Sequence, residues 1–335
     1  MKLLLTSPAI GPLHSWEGKP YLQNVTQQIE TSPQCSHVTL TTRPEDADFI
    51  LFLEENCWKD RNYALRFLSN EFIQKYPEKC FTANYSDFFL GLLPGVYVCL
   101  PKHHEDPARF EAGYYLLGGP NPKVPAYVER SATFPREWLF SFRGSDTHPV
   151  RRKLFNTATA WREFSSIVET GSFYNNTADE QNLFCEEILK SEFALCPRGI
   201  GCSSHRLFEA LQLGRAPVIV SDEWTAPTGP NWDEFSIRLP EARVSEMPDL
   251  LKRMQPRARE MGLAARATWE TWFSPGARVA RTLESIQRIQ QCRGNQTPNF
   301  SKLWKSWAFW SGYGMAPHQR IWKKVAKIWK GKVGA

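Results

Sequence analysis

No apolar stretch in this sequence approaches the ~20 residues of a membrane-spanning helix. The apolar run at the N-terminus covers only residues 3–5, against the ~7–15 of a secretory signal core. Entry into the secretory route is therefore not expected. The five Asn-x-Ser/Thr sequons, at Asn24, Asn84, Asn175, Asn295 and Asn299, then read as chance matches. Cysteine is sparse, eight in 335 residues, with no CxxC pair and no histidine at finger-like spacing from two of them. That argues against a structural zinc and for reduced, buried thiols of a cytosolic protein. A disulfide-bonded secreted protein is the lesser reading. No internal repeat stands out at the usual periods.

Acidic residues are missing altogether from residues 298–335, which hold eight of the 41 Lys and Arg. The remaining chain carries 33 basic and 35 acidic residues, so the net charge of +6 resides in the tail. Five of the thirteen Trp lie there too. Within residues 319–332, Ile321, Trp322, Val325, Ile328 and Trp329 fall on one face of a helix. Lys323, Lys324, Lys327 and Lys330 take the flanks and the far side. Trp opposite Lys is the pattern of an interfacial helix on anionic lipid. Docking of the tail on the protein body is the second reading, and a nucleic-acid stripe the third.

The length suits two domains. Strand patterns near residues 2–6, 38–41, 49–53 and 96–100 alternate with helical patterns near 22–29 and 62–75, which favours an α/β domain with a parallel sheet. Residues 101–135 are rich in Pro and Gly and read as a long irregular stretch. A second alternation follows. Strands are expected at 138–142, 166–170, 193–196 and 216–221. Helices are expected from 151, at 179–191, 203–213, 244–254, 257–273 and 277–291.

Phe193-Ala-Leu-Cys delivers the chain to a loop, Pro-Arg-Gly-Ile-Gly-Cys-Ser-Ser, that enters an amphipathic helix. Gly199 and Gly201 permit close backbone approach, and Ser203 or Ser204 stands where an N-cap belongs. Free N–H groups and the helix dipole at such a terminus attract anions. Arg198 and Arg206 add charge suited to a diphosphate. Glu209, one turn into the helix, suits ribose hydroxyls better than phosphate. Read alone, the segment is a phosphate-binding α/β loop or a helix cap with surface arginines.

Cys196-Pro-Arg-Gly, Ser204, Arg206-Leu-Phe-Glu-Ala-Leu and Gly214-Arg-Ala-Pro-Val-Ile-Val-Ser-Asp together resemble the signature of exostosin-like glycosyltransferases (GT47-type). Glu223-Trp-Thr-Ala-Pro and Asn231-Trp-Asp-Glu-Phe-Ser-Ile look like the bacterial branch of that family. Phe142-Arg-Gly-Ser with Arg151 resembles its phosphate-side arginine segment. The resemblance covers about residues 138–255.

It implies an α/β protein of GT-B type, two Rossmann-like domains facing a central cleft, extended by the basic amphipathic tail. The expected division is 1–136 as acceptor domain, 137–290 as nucleotide-sugar domain and 291–335 as tail. By this resemblance Arg198, Ser203, Ser204 and Arg206 hold the donor diphosphate, and Glu209 holds the ribose. Arg143 and Arg151 neutralise the leaving nucleotide, and Asp222 orients an arginine or touches the sugar. The implied reaction is inverting transfer from a nucleotide-sugar, a UDP-sugar above all, to a hydroxyl of a glycan or lipid-linked acceptor in surface polysaccharide synthesis. No metal or cofactor is implied, and no nucleic-acid partner. The general base is expected in the first domain, with His14 and Glu17 as first candidates and Glu54, Glu55, His103, His104 and Asp106 as competitors. The expected location is cytoplasmic, peripheral to the inner membrane through residues 319–335. The alternative is a catalytically inactive relative that binds a glycan or a partner enzyme.

Overall fold

The computed structural model describes residues 1–8, 19–54, 63, 67, 69–116, 121–131, 134–171 and 177–294. His14, Glu17, Glu55 and residues 295–335 of the tail lie outside these residues, while residues 291–293, expected to open the tail, continue a described helix.

Two parallel sheets organise the molecule. The first consists of β1 (Lys2–Thr6), β2 (Thr39–Leu40), β3 (Phe49–Glu54), β4 (Cys80–Asn84), β5 (Gly95–Tyr97) and β6 (Phe110–Ala112), in the order β2-β1-β3-β4-β5-β6. The second consists of β7 (Trp138–Gly144), β8 (Ser165–Glu169), β9 (Ser191–Pro197), β10 (Ala216–Val220) and β11 (Ile237–Arg238), in the order β11-β10-β9-β7-β8. Every pairing within them is parallel. The central strands show why. β3 reads FILFLE and β10 reads APVIV, near-continuous apolar runs that bury side chains on both faces.

The connecting helices are α1 (Lys19–Thr31), α2 (Glu71–Lys75), α3 (Val124–Glu129), α4 (Pro149–Trp161), α5 (Ala178–Leu189), α6 (His205–Gln212), α7 (Trp232–Phe235), α8 (Met247–Met254), α9 (Ala258–Thr268) and α10 (Pro275–Arg293). A capping box of Thr177 and Glu180 starts α5. Gly214, with φ +68°, follows α6 and turns the chain back into β10.

Both sheets have the doubly wound order in which the chain leaves a central strand in opposite directions. In the first, this switch lies between β1 and β3; in the second, between β7 and β9. Ligands of such sheets bind beyond the carboxyl ends of the strands at the switch. In the second sheet that point holds residues 145–148, after β7, and 198–204, after β9.

The structure departs from the sequence expectations in three places. Residues 101–135 are not wholly irregular: they contain β6 and α3. A three-residue strand carries too few residues to show a period. The helical run expected over 257–273 ends its α-helix at Thr268 and closes in a π-turn at Trp269–Phe273. Finally, α10, whose residues to 290 were grouped with the second domain, packs on α1, β5 and β6 of the first. Its apolar face (Val279, Ala280, Leu283, Ile286, Ile289) joins Leu3, Tyr21, Val25 and Leu51 in one core. Arg288 grips Glu111 through two hydrogen bonds, and Arg278 Nε donates to Gln28 Oε1.

The two sheets share buried surface. Val98, Cys99, Tyr114 and Tyr115 of the first half pack with Cys196, Cys202, Leu207 and Phe208 of the second. Backbone pairing extends across the seam as well. Pro101 bridges Trp224, and Lys102 N–H donates to Glu223 O.

Candidate active site

The carboxyl edge of the second sheet gathers most of the expected donor residues. β7 delivers Arg143, α4 delivers Arg151, and the β9–α6 loop delivers Arg198, Ser203, Ser204 and Arg206. Two glycines allow the loop to lie this close. A Cβ on Gly199 would stand 3.0 Å from Arg151 Nη2 and 3.1 Å from Thr147 Oγ1. A Cβ on Gly201 would meet Cys99 Sγ at 2.5 Å and Asp87 O at 2.8 Å, both from the first domain.

The four arginines do different work. Arg143 is a bidentate partner of Glu187 on α5, at 2.9 and 2.6 Å. Arg151 is buried and donates to three backbone carbonyls, of Arg198, Ser145 and Pro197. It therefore splints the β7 and β9 loops together. Arg206 donates to the Arg143 carbonyl and lies 4.7 Å from the Phe142 ring centroid. Arg198 is the least engaged: its only described ion pair is with Glu241, at 3.8 Å. Burial, then the nearby Arg206 charge, pushes the Arg151 guanidinium down to about 9, with Asp87 opposing. Burial also lowers Arg206.

Polar atoms without partners concentrate at the same edge. Asp146 Oδ1, Thr147 Oγ1, Arg198 Nε, Ser203 Oγ and Arg206 Nε are buried and make no hydrogen bond. Ser204 occupies the N-cap of α6 with extended backbone, yet its hydroxyl caps no N–H of that helix. Native proteins rarely leave such groups unpaired unless a ligand or water takes them. The arginine and hydroxyl groups among them, with the N-terminus of α6, offer donors that suit a diphosphate, whereas Asp146 Oδ1 can only accept.

Glu209 is buried on α6 beneath Asn121, whose N–H donates to its Oε1 at 3.2 Å. Burial pushes its carboxyl up to about 7, against the pull of Arg206. Asp222 binds Glu241 reciprocally. Asp222 N–H donates to Glu241 Oε1 and Glu241 N–H to Asp222 Oδ1, each at 3.1 Å. Asp222 thus reaches Arg198 through Glu241. His148, Glu241, Asp146 and Thr147 were missed by the sequence reading. The position of 145–148, between a strand and a helix with basic residues, was the available signal for three of them. Glu241 lies nineteen residues from Asp222 in a 3-10 turn and carried none.

Among the described base candidates, Glu54 is fully buried and accepts from Tyr63 and Thr82 hydroxyls. Asp106 accepts from the Ala108 N–H in a turn. His104 packs on Phe89. His103 remains exposed at the domain seam, its Nδ1 2.6 Å from Oε2 of Glu223 in the second domain. The seven described cysteines are free, and no described group of three His, Cys, Asp or Glu is arranged to hold a metal. No described helix is long and apolar enough to cross a membrane.

The doubly wound sheets, with this cationic edge at the switch point of the second, place the chain in the α/β class. Residues 121–254 match the model of the Exostosin GT47 domain. A probable glycosyltransferase of Arabidopsis thaliana is 31% identical over 117 residues, 34% of this chain and 23% of the relative. Exostosin-1 of Bos taurus is 29% identical over 117 residues, 34% of this chain and 16% of the relative. Exostosin-1a of Danio rerio is 27% identical over 225 residues, covering 59% of this chain and 31% of the relative. The chain thus spans under a third of the length of these relatives. Among solved structures, an α1,3-fucosyltransferase is similar with a TM-score of 0.42 at 12% identity, over 88% of this chain and 91% of the other. The MurG protein of Acinetobacter baumannii is similar with a TM-score of 0.34 at 8% identity, over 87% and 99%.

Proposed function

We propose that this protein is a glycosyltransferase that moves a sugar from a nucleotide-sugar, a UDP-sugar, to a hydroxyl of a glycan or lipid-linked acceptor. The observation that carries the reading is the set of unpartnered buried polar atoms around the β9–α6 loop, within the exostosin domain. Arg198, Ser203, Ser204 and Arg206 bind the donor diphosphate, with Thr147 beside them. Arg143 and Arg151 act one step back by fixing the strand ends that carry the loop.

The transfer proceeds with inversion. An acceptor oxygen attacks the anomeric carbon as the bond to the phosphate oxygen breaks, and the electron pair leaves with the nucleoside diphosphate. The growing negative charge there is met by Arg198, Arg206 and the N-terminus of α6. A base in the first domain takes the acceptor proton. His14 and Glu17, which follow β1 in the sequence, are assigned that role, with His103 next through its contact to Glu223. Residues 319–335 hold the enzyme on an anionic membrane surface, where a lipid-linked acceptor resides.

Thermal unfolding with UDP-, GDP- and CMP-sugars tests the donor. A ligand at 100 times its Kd adds about 2.7 kcal/mol of stability. A rise in Tm with the UDP-sugar series supports the reading. No rise with any nucleotide-sugar at millimolar concentration overturns it.

A further inference from the structure

Helix α6 begins directly after Ser203 and Ser204, and its first turn faces two ways. Arg206 turns to its own domain, where it donates to the Arg143 carbonyl and lies near the rings of Phe142 and Phe184. His205 and Phe208 are three residues apart, so they share a face of the helix. That face meets the first domain. His205 is half-buried there, and Phe208 is buried.

Three tyrosines of the first domain make the contact. Tyr85 directly follows β4, where its N–H donates to the Glu54 carbonyl at 2.8 Å, and Tyr114 and Tyr115 follow β6. The buried ring of Tyr115 stacks on the His205 imidazole, with centroids 3.5 Å apart and planes 25° from parallel. Tyr85 meets Tyr115 edge-on at 4.9 Å, and its hydroxyl shares a hydrogen bond of 3.2 Å with Nε2 of His205. Tyr114 packs edge-on against Phe208 at 4.5 Å. Aromatic pairs of these kinds have preferred geometries and resist sliding. A helix commonly fixes its entry through the N-cap side chain. Ser204 does not do so here, since its hydroxyl caps no N–H of α6. The placement of the first turn falls instead to the clamp on His205.

We propose that His205 is a positioning residue for the donor diphosphate. Tyr85 and Tyr115 hold its ring, and through it the first turn of α6 and the adjoining Ser203 and Ser204. The first domain thereby sets the affinity of the second for the nucleotide. By linkage, the bound nucleotide strengthens the contact between the two halves by the same factor. The assignment rests on the donor reading proposed above.

Calorimetric titration of the full chain with UDP, with Tm measured alongside, tests this. Tyr85→Phe removes the hydroxyl and leaves the ring on Tyr115. His205→Phe keeps a ring on Tyr115 and removes Nε2. Each is expected to weaken UDP binding about tenfold, within the usual range of coupling between sites. The double variant is expected to bind no more weakly than either single one, because both break the same hydrogen bond. His205→Gln, whose amide can stand in for Nε2, recovers most of the affinity, which a merely structural role would not require. Tyr85→Phe, the loss of one oxygen, keeps the test valid if a His205 variant does not fold. Wild-type UDP affinity in Tyr85→Phe and His205→Phe, whatever their Tm, overturns the assignment, and so do losses that add in the double variant. In those cases the wild type still binds UDP and the donor reading stands. A wild type that does not bind UDP overturns the donor reading and this assignment with it.

Discussion

Burial raises the Glu209 carboxyl to about 7 from its ordinary 4.5. The folded state therefore holds a proton that the unfolded chain releases. Glu209 costs nothing below the unfolded value and progressively more as pH rises from about 4.5 towards 7. Above that, the penalty levels off at roughly 3 kcal/mol. Glu209→Gln keeps an oxygen for the Asn121 N–H but cannot ionise. Urea denaturation is expected to show the variant more stable than wild type by on the order of 2–3 kcal/mol at pH 8 and equal near pH 4.5. Equal stability at both pH values would mean that Glu209 sits in a wetter place than Asn121 allows. Arg143 and Arg198 separate by the same residue-scale logic. Arg143→Ala strands the buried Glu187 carboxylate, a loss of about 3–5 kcal/mol. Arg198→Ala breaks only a 3.8 Å pair, a change below about 1 kcal/mol, yet is expected to remove the response to UDP-sugars. Chemical denaturation and nucleotide titration of the two variants check both halves.

At the scale of elements, the β9–α6 loop was the most legible part of the chain. Its strand, its glycines and its helix are contiguous, so local chemistry decides their shape. Gly201 makes the point testable. Gly201→Ala drives a methyl into Cys99 Sγ and the Asp87 carbonyl, and overpacking of this kind costs about 1–3 kcal/mol. Thermal unfolding is expected to show that loss together with weaker nucleotide binding, since the loop must back away from the first domain. The burial of Arg151 was not legible. A basic Arg-Arg-Lys run at a helix start looks solvent-facing, and only the Ser145 carbonyl just before it and the distant Pro197 and Arg198 carbonyls draw one member of it inside. The crossing of α10 back to the first domain was equally hidden. Its pattern shows one apolar face but says nothing of which sheet that face will cover. Glu111, Gln28 and the core around Leu3 decide it, and all are more than 150 residues away.

At the scale of the whole molecule, charge and apolar surface are divided by region. Residues 1–297 carry 33 basic and 35 acidic side chains, while residues 298–335 carry eight basic and none acidic. The arginines of the donor edge stand among carboxylates and do not alter that balance, so the body has no long-range attraction to an anionic surface. The tail has it, and adds five Trp that favour the water–lipid boundary. Each Lys or Arg near such a surface contributes about 1 kcal/mol, and the contribution falls with salt. The full chain is therefore expected to co-sediment with vesicles containing phosphatidylserine, less so at high salt, and weakly with neutral vesicles. A chain truncated after Gln296 should stay in the supernatant while keeping its melting temperature and its response to UDP-sugars, because α10 ends at Arg293 and closes the described fold. Equal sedimentation of both forms would refute the membrane role of the tail and leave the donor site untouched.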